Sequence, residues 1–134
     1  MKILIAEDDF TSRLLLQELL KSYGTCHVAV NGKEAVMATL AALEAGDPYD
    51  LICLDIMMPE MDGRTALRQM REQEETRSIS SSRGSKIVMT TALDDGENIF
   101  SSFYELCDGY LIKPIEKAKL LETMGALGFL PSAG

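Results

Sequence analysis

The chain has 134 residues, 46% of them apolar, which is enough for one sizeable core and too few for two independent ones. No apolar stretch approaches the roughly 20 residues that cross a bilayer, and MKILIAEDD, with acids straight after its apolar run, lacks the cleavage site of a signal peptide, so a cytoplasmic protein is expected. Thirteen basic against 21 acidic residues give a net charge of −8, which repels a phosphate backbone and argues against direct nucleic-acid binding.

The run KILIA at 2–6 reads as a short strand that ends in Glu7, Asp8 and Asp9, and Leu15, Leu16, Leu19 and Leu20 follow at helical spacing. A second strand is expected at 25–30. Asn31 and Glu34 then resemble a capping box that opens a helix to about residue 44, stopped by Gly46-Asp47-Pro48. Residues 50–55 are nearly all apolar, as in a strand of a parallel sheet covered on both faces, yet the last residue is Asp55. Asp62-Gly63 opens a third helix through Met70 and on toward Glu74. The serine-rich stretch TRSISSSRGS at 76–85 has no periodicity and reads as a solvated loop. A fourth strand at 86–91, a fourth helix capped by Asp94 or Asp95 and running to about residue 106, a fifth strand at 109–112 and a last helix at 115–127 complete the order.

Five strands alternating with five helices predict a doubly wound α/β domain with a parallel sheet, since each strand needs a right-handed crossover to return to the same edge. Such sheets carry their sites at the carboxyl ends of the strands. That rule gathers Glu7, Asp8, Asp9, Asp55, Thr90, Thr91 and Lys113 at one edge. The carboxylates of Asp8, Asp9 and Asp55 repel one another unless a cation sits among them, and hard oxygen donors in an open site suit Mg²⁺. Lys113 and a threonine hydroxyl add donors for an anionic oxygen. A carboxylate nucleophile with such neighbours fits phosphoryl transfer, and Asp55 is the natural acceptor.

Taken together, DDF at 8–10, DIMMPEMDG at 55–63, TTA at 90–92 and GYLIKP at 109–114 resemble the receiver domains of response regulators in two-component signalling. The resemblance spans residue 2 to about 127 and implies a flavodoxin-like fold with strand order 2-1-3-4-5. It implies Asp55 as the phosphorylated residue. The implied Mg²⁺ ligands are Asp9 directly, Asp8 mainly through water, Asp55, and the backbone carbonyl of Met57. Thr91 before Ala92 matches the switch hydroxyl, Lys113 the phosphate-contacting lysine before a cis proline bond, and Tyr110 the aromatic switch. Met57 and Leu93 occupy the two positions that control hydrolysis of the acyl phosphate. Neither can orient a water, so slow self-dephosphorylation is expected.

The expected donor is a sensor histidine kinase or a histidine phosphotransfer protein, and the output is a downstream protein bound through the surface that carries Tyr110. A phosphorylation-driven homodimer is a further partner that the sequence leaves open. The resemblance places a receiver at 1–128, with an insertion at 76–85 and a tail at 129–134, standing alone as a signalling domain and not as a turnover enzyme. The alternatives are a receiver fragment of a larger regulator, an aspartyl-phosphate phosphohydrolase, which Met57 disfavours because an acid is usual there, and a flavin carrier, which the acids of the first loop disfavour. Cys26, Cys53 and Cys107 are odd in number and lack CxxC spacing, so they read as reduced and mostly buried. His27 is the single histidine and reads as a strand-surface residue. Most of the eight methionines read as core filling.

Overall fold

The computed structural model describes residues 1–80, 83–92 and 106–131. Its strands are β1 (Lys2–Ala6), β2 (Thr25–Ala29), β3 (Leu51–Asp55), β4 (Lys86–Thr91) and β5 (Gly109–Ile112). Among the described residues the helices are α1 (Phe10–Leu20), α2 (Gly32–Glu44), α3 (Gly63–Thr76) and α4 (Lys117–Ala126). The expected helix beginning at Asp94 or Asp95, and Leu93 with it, lies outside the described residues. All strand pairs are parallel, in the order β2-β1-β3-β4-β5, which is the doubly wound sheet expected from the sequence.

Side chains of successive strand residues point to opposite faces, and the two cores follow that alternation. Ile3, Ile5, Leu51, Cys53, Val88 and Leu111 pack beneath Leu16 and Leu20 of α1 and Leu120 and Met124 of α4. Leu4, Ala6, Ile52, Leu54, Ile87 and Met89 meet Ala35 and Val36 of α2 and Ala66, Leu67 and Met70 of α3. β3 lies between β1 and β4 under both layers, so all five of its residues are buried, Asp55 included. β2 is the edge strand, and accordingly His27 and Val28 are exposed. His27 Nδ1 lies 2.8 Å from the Tyr49 hydroxyl, which agrees with a strand-surface role. All three cysteines are free, but only Cys53 is fully buried, and burial pushes its thiol up to about 12. Met37 and Met57 are exposed, while Met70, Met89 and Met124 fill the core.

Local sequence sets the helix starts. Asn31 caps α2 by accepting from Glu34 N at 2.8 Å, and Glu34 Oε1 returns to accept from Val30 N at 3.0 Å. Asp62 caps α3 by accepting from Thr65 N at 2.9 Å. The start of α3 rests directly on the end of β3: a Cβ at Gly63 would stand 2.1 Å from the Asp55 carbonyl oxygen. Glycine at 63 therefore lets the helix approach the end of β3.

At the other edge, near the amino ends of β4 and β5, Arg71 is 7% exposed. Its guanidinium donates to Glu74 Oε1, Asp108 Oδ2, the Ser85 carbonyl and the Leu106 carbonyl, all at 2.8–2.9 Å. Glu74 accepts in turn from Ser85 N, and Asp108 from Ile87 N. The serine-rich loop is thus solvated over part of its length only. Its last residue, Ser85, is buried and donates from Oγ to the Tyr49 carbonyl at 2.7 Å.

Candidate functional site

β1 and β3 run side by side, and each ends in an acid on the face beneath α1 and α4. Glu7 continues the alternation of Ile3 and Ile5, with its amide still bonded to the Ala29 carbonyl at 3.0 Å. Its side chain is fully buried. Carboxylate oxygens of Glu7, Asp8 and Asp55 all lie within 4.8 Å of one another. Lys113, just past β5, reaches over from the far side: Nζ stands 2.7 Å from Glu7 Oε1 and 3.2 Å from Asp55 Oδ2.

Of the expected acidic pair, Asp8 lies in this cluster and Asp9 lies outside it. Asp9 stands at the N-cap of α1, where Oδ2 accepts from Ser12 N at 2.9 Å, and its amide donates to Glu7 Oε2 at 3.1 Å. That backbone hydrogen bond from Ser12 is the main cause that holds the Asp9 carboxyl below its usual range. Glu7 takes the vacated place in the cluster. Two signals in the sequence point to this arrangement: the phase of the strand, counted 3, 5, 7, and the preference of aspartate for a helix N-cap. Arg13 of α1 supports the turn by donating to the Glu7 carbonyl at 3.0 Å.

Burial raises the Asp55 carboxyl well above the ordinary carboxylate range, Glu7 adds to the rise by hydrogen bonding and charge, and Lys113 opposes it. For Lys113, burial works against the charge but is outweighed by Glu7 and Asp55, and its pKa is raised. Among the described residues, three carboxylates with one lysine leave negative charge uncompensated in a cluster whose Asp8 member is exposed. That donor set suits a small hard cation that keeps several of its waters, so the residues fit Mg²⁺.

The remaining expected residues surround this centre. Met57 N donates to Asp55 Oδ1 at 3.3 Å, and its side chain is 66% exposed. Thr91 is buried, and its hydroxyl donates to the Ala92 carbonyl at 3.0 Å. Tyr110 on β5 is 38% exposed. The Lys113-Pro114 bond is cis.

A parallel α/β sheet with a buried carboxylate, two further acids and a lysine at its carboxyl edge defines a phosphoacceptor class of domain. Comparison with known proteins supplies the family. Residues 3–125 match the family model described as the response regulator receiver domain, and the chain belongs to that family. It is 32% identical over 127 residues to the sensory/regulatory protein RpfC of Xanthomonas campestris, covering 95% of this chain and 16% of that protein. It is 34% identical to the transcriptional regulatory protein ResD of Bacillus subtilis, covering 94% of this chain and 47% of that protein. Among solved structures, the receiver domain of the sensor histidine kinase PA1611 from Pseudomonas aeruginosa, with a magnesium ion in its active-site cleft, is 25% identical with a TM-score of 0.74. The match covers 95% of this chain and 97% of that one. No helix among the described residues is long and apolar enough to cross a membrane.

Proposed function

We propose that Asp55 accepts a phosphoryl group from the phosphohistidine of a sensor histidine kinase or a phosphotransfer protein. The observation that carries this reading is the buried Asp55 carboxylate, 3.2 Å from Lys113 and clustered with Glu7 and Asp8. One Asp55 oxygen attacks phosphorus, the P–N bond to the donor imidazole breaks, and the bonding electron pair stays on the ring nitrogen. Asp8, Asp55 and the Met57 carbonyl would hold Mg²⁺, with Glu7 behind them. When bound, the ion neutralises charge that develops on the phosphoryl oxygens. Lys113 can leave the carboxylate for a phosphoryl oxygen, and the Thr91 hydroxyl can turn from the Ala92 carbonyl to the same group. Tyr110 then follows inward, which changes the surface offered to a downstream protein or to a second copy of the chain.

This is signalling chemistry without turnover of a separate substrate. Met57, with no acid to act on water, disfavours a phosphohydrolase, and together with Leu93 it favours a long-lived phosphoryl state. The net charge of −8 disfavours direct nucleic-acid contact. We read residues 1–128 as the receiver and 76–85 as an insertion in it. A second reading, that the chain is the receiver segment of a longer regulator or hybrid kinase, is supported by the 16% and 47% of RpfC and ResD that it spans. A longer native reading frame would decide for it.

Incubation with Mg²⁺ and acetyl phosphate, followed by intact-mass measurement, tests the acceptor. Wild type should gain one phosphoryl mass and Asp55→Asn none; a gain in both, or in neither, refutes the assignment.

A further inference from the structure

Thr90 is a buried polar residue that the chemistry above leaves unused. It is 1% exposed, and its Oγ1 is buried with no hydrogen-bond partner among the described residues, a condition that native folds seldom tolerate. Valine would fill the same space on a buried strand without that penalty.

The register shows what the hydroxyl faces. Asp55 and Thr90 are direct partners across β3 and β4, as are Cys53 and Val88 below them. Partners of this kind project to the same face, and Cys53 and Val88 both lie in the core beneath α1 and α4. Thr90 therefore stands beside the acceptor on the acceptor's own face. Lys113 comes from the end of β5, with β4 between it and β3. Two strand spacings are about 9.6 Å, so the lysine stem crosses the end of β4 to bring Nζ to Asp55 and Glu7. Thr90 is the β4 residue paired with Asp55 on one side and with Leu111 on the other, so it lies on that path. An ammonium has three N–H donors. Nζ donates one to Asp55 Oδ2 at 3.2 Å and forms an ion pair with Glu7 Oε1 at 2.7 Å, which leaves a third for another acceptor.

We propose that Thr90 is a positioning residue for phosphoryl transfer: its hydroxyl accepts the third N–H of Lys113 as the ammonium turns from the Asp55 carboxylate to the phosphoryl group. The inference rests on reading Asp55 as the acceptor. A hydroxyl in this place steadies the lysine in mid-transfer, when its bond to Asp55 is given up.

The test compares wild type, Thr90→Val and Thr90→Ser in two measurements. One is the rate of phosphoryl uptake from acetyl phosphate with Mg²⁺, and the other is the thermal unfolding midpoint of the metal-free protein. Thr90→Val should slow uptake about tenfold, the rate equivalent of one ordinary hydrogen bond. Its midpoint should equal or exceed that of wild type, and Thr90→Ser should keep its rate within about twofold of wild type, since the hydroxyl remains. Uptake by Thr90→Val at the wild-type rate overturns the proposal. So does serine as slow as valine, or a lowered midpoint in Thr90→Val, which would make the hydroxyl structural. If wild type itself takes up no phosphate, the acceptor reading falls and the inference falls with it.

Discussion

The two edges of the sheet handle buried charge in opposite ways. At the amino edge, Arg71 answers Glu74 and Asp108, and backbone amides and carbonyls satisfy what is left. At the carboxyl edge, Glu7 and Asp55 share Lys113 while Asp8 lies in the same cluster. The first arrangement spends its charge on fixing where a loop and two strands begin. The second leaves negative charge uncompensated, a donor set that fits a small hard cation.

Arg71→Met should sharpen this contrast most. It leaves the buried Glu74 and the partly buried Asp108 without their cation, and a loss of about 3–5 kcal/mol is expected in urea unfolding. Mg²⁺ affinity should change little. A loss below about 1 kcal/mol would put the triad among solvated surface pairs and dissolve the contrast.

Asp55→Asn should act in the opposite direction. The folded-state pKa of Asp55 is raised, so its ionised form is disfavoured by the fold; this cost is absent below the ordinary value of 3.8 and complete above about 7. Stability of metal-free wild type should therefore fall as pH rises through that window. Asp55→Asn should be the more stable form at pH 8 by at least one pKa unit's worth, about 1.4 kcal/mol. Saturating Mg²⁺ should shrink the gap. An asparagine variant less stable than wild type at pH 8 would mean that the carboxyl edge is as well balanced as the amino edge.

The smallest effect separates a cap from a ligand. Asp9→Ala should cost about 1 kcal/mol through its lost bond to Ser12 N and leave Mg²⁺ affinity unchanged in calorimetry. Asp8→Ala should abolish measurable Mg²⁺ binding. If the two exchanged these behaviours, the pairing of Asp8 with Asp9 would be restored.

The sequence made the sheet legible because burial writes itself as apolar runs: β4 and β5 have the bounds that composition predicts, and Asp55 stands out as an acid ending a buried strand. The acids of the first loop were harder to assign. In Glu7-Asp8-Asp9 three similar side chains stand in a row, and only the phase of β1 and the geometry of the α1 cap separate them. The Arg71 triad gave no signal at all. Arg71 and Glu74 look like an ordinary surface pair on a helix, and they become a buried anchor only because Ser85 and Asp108 return over them from later in the chain. Thr90 likewise reads as a plain strand residue until the register sets it beside Asp55.

Lys113 also fixes when the site can come into being. Its partner Asp55 lies 58 residues earlier, so the acceptor is synthesised long before the cation that balances it. Contacts of such separation form late, after the chain has met the cost of closing a long loop. A nascent chain that ends before β5 presents its acids without the lysine that pairs with two of them.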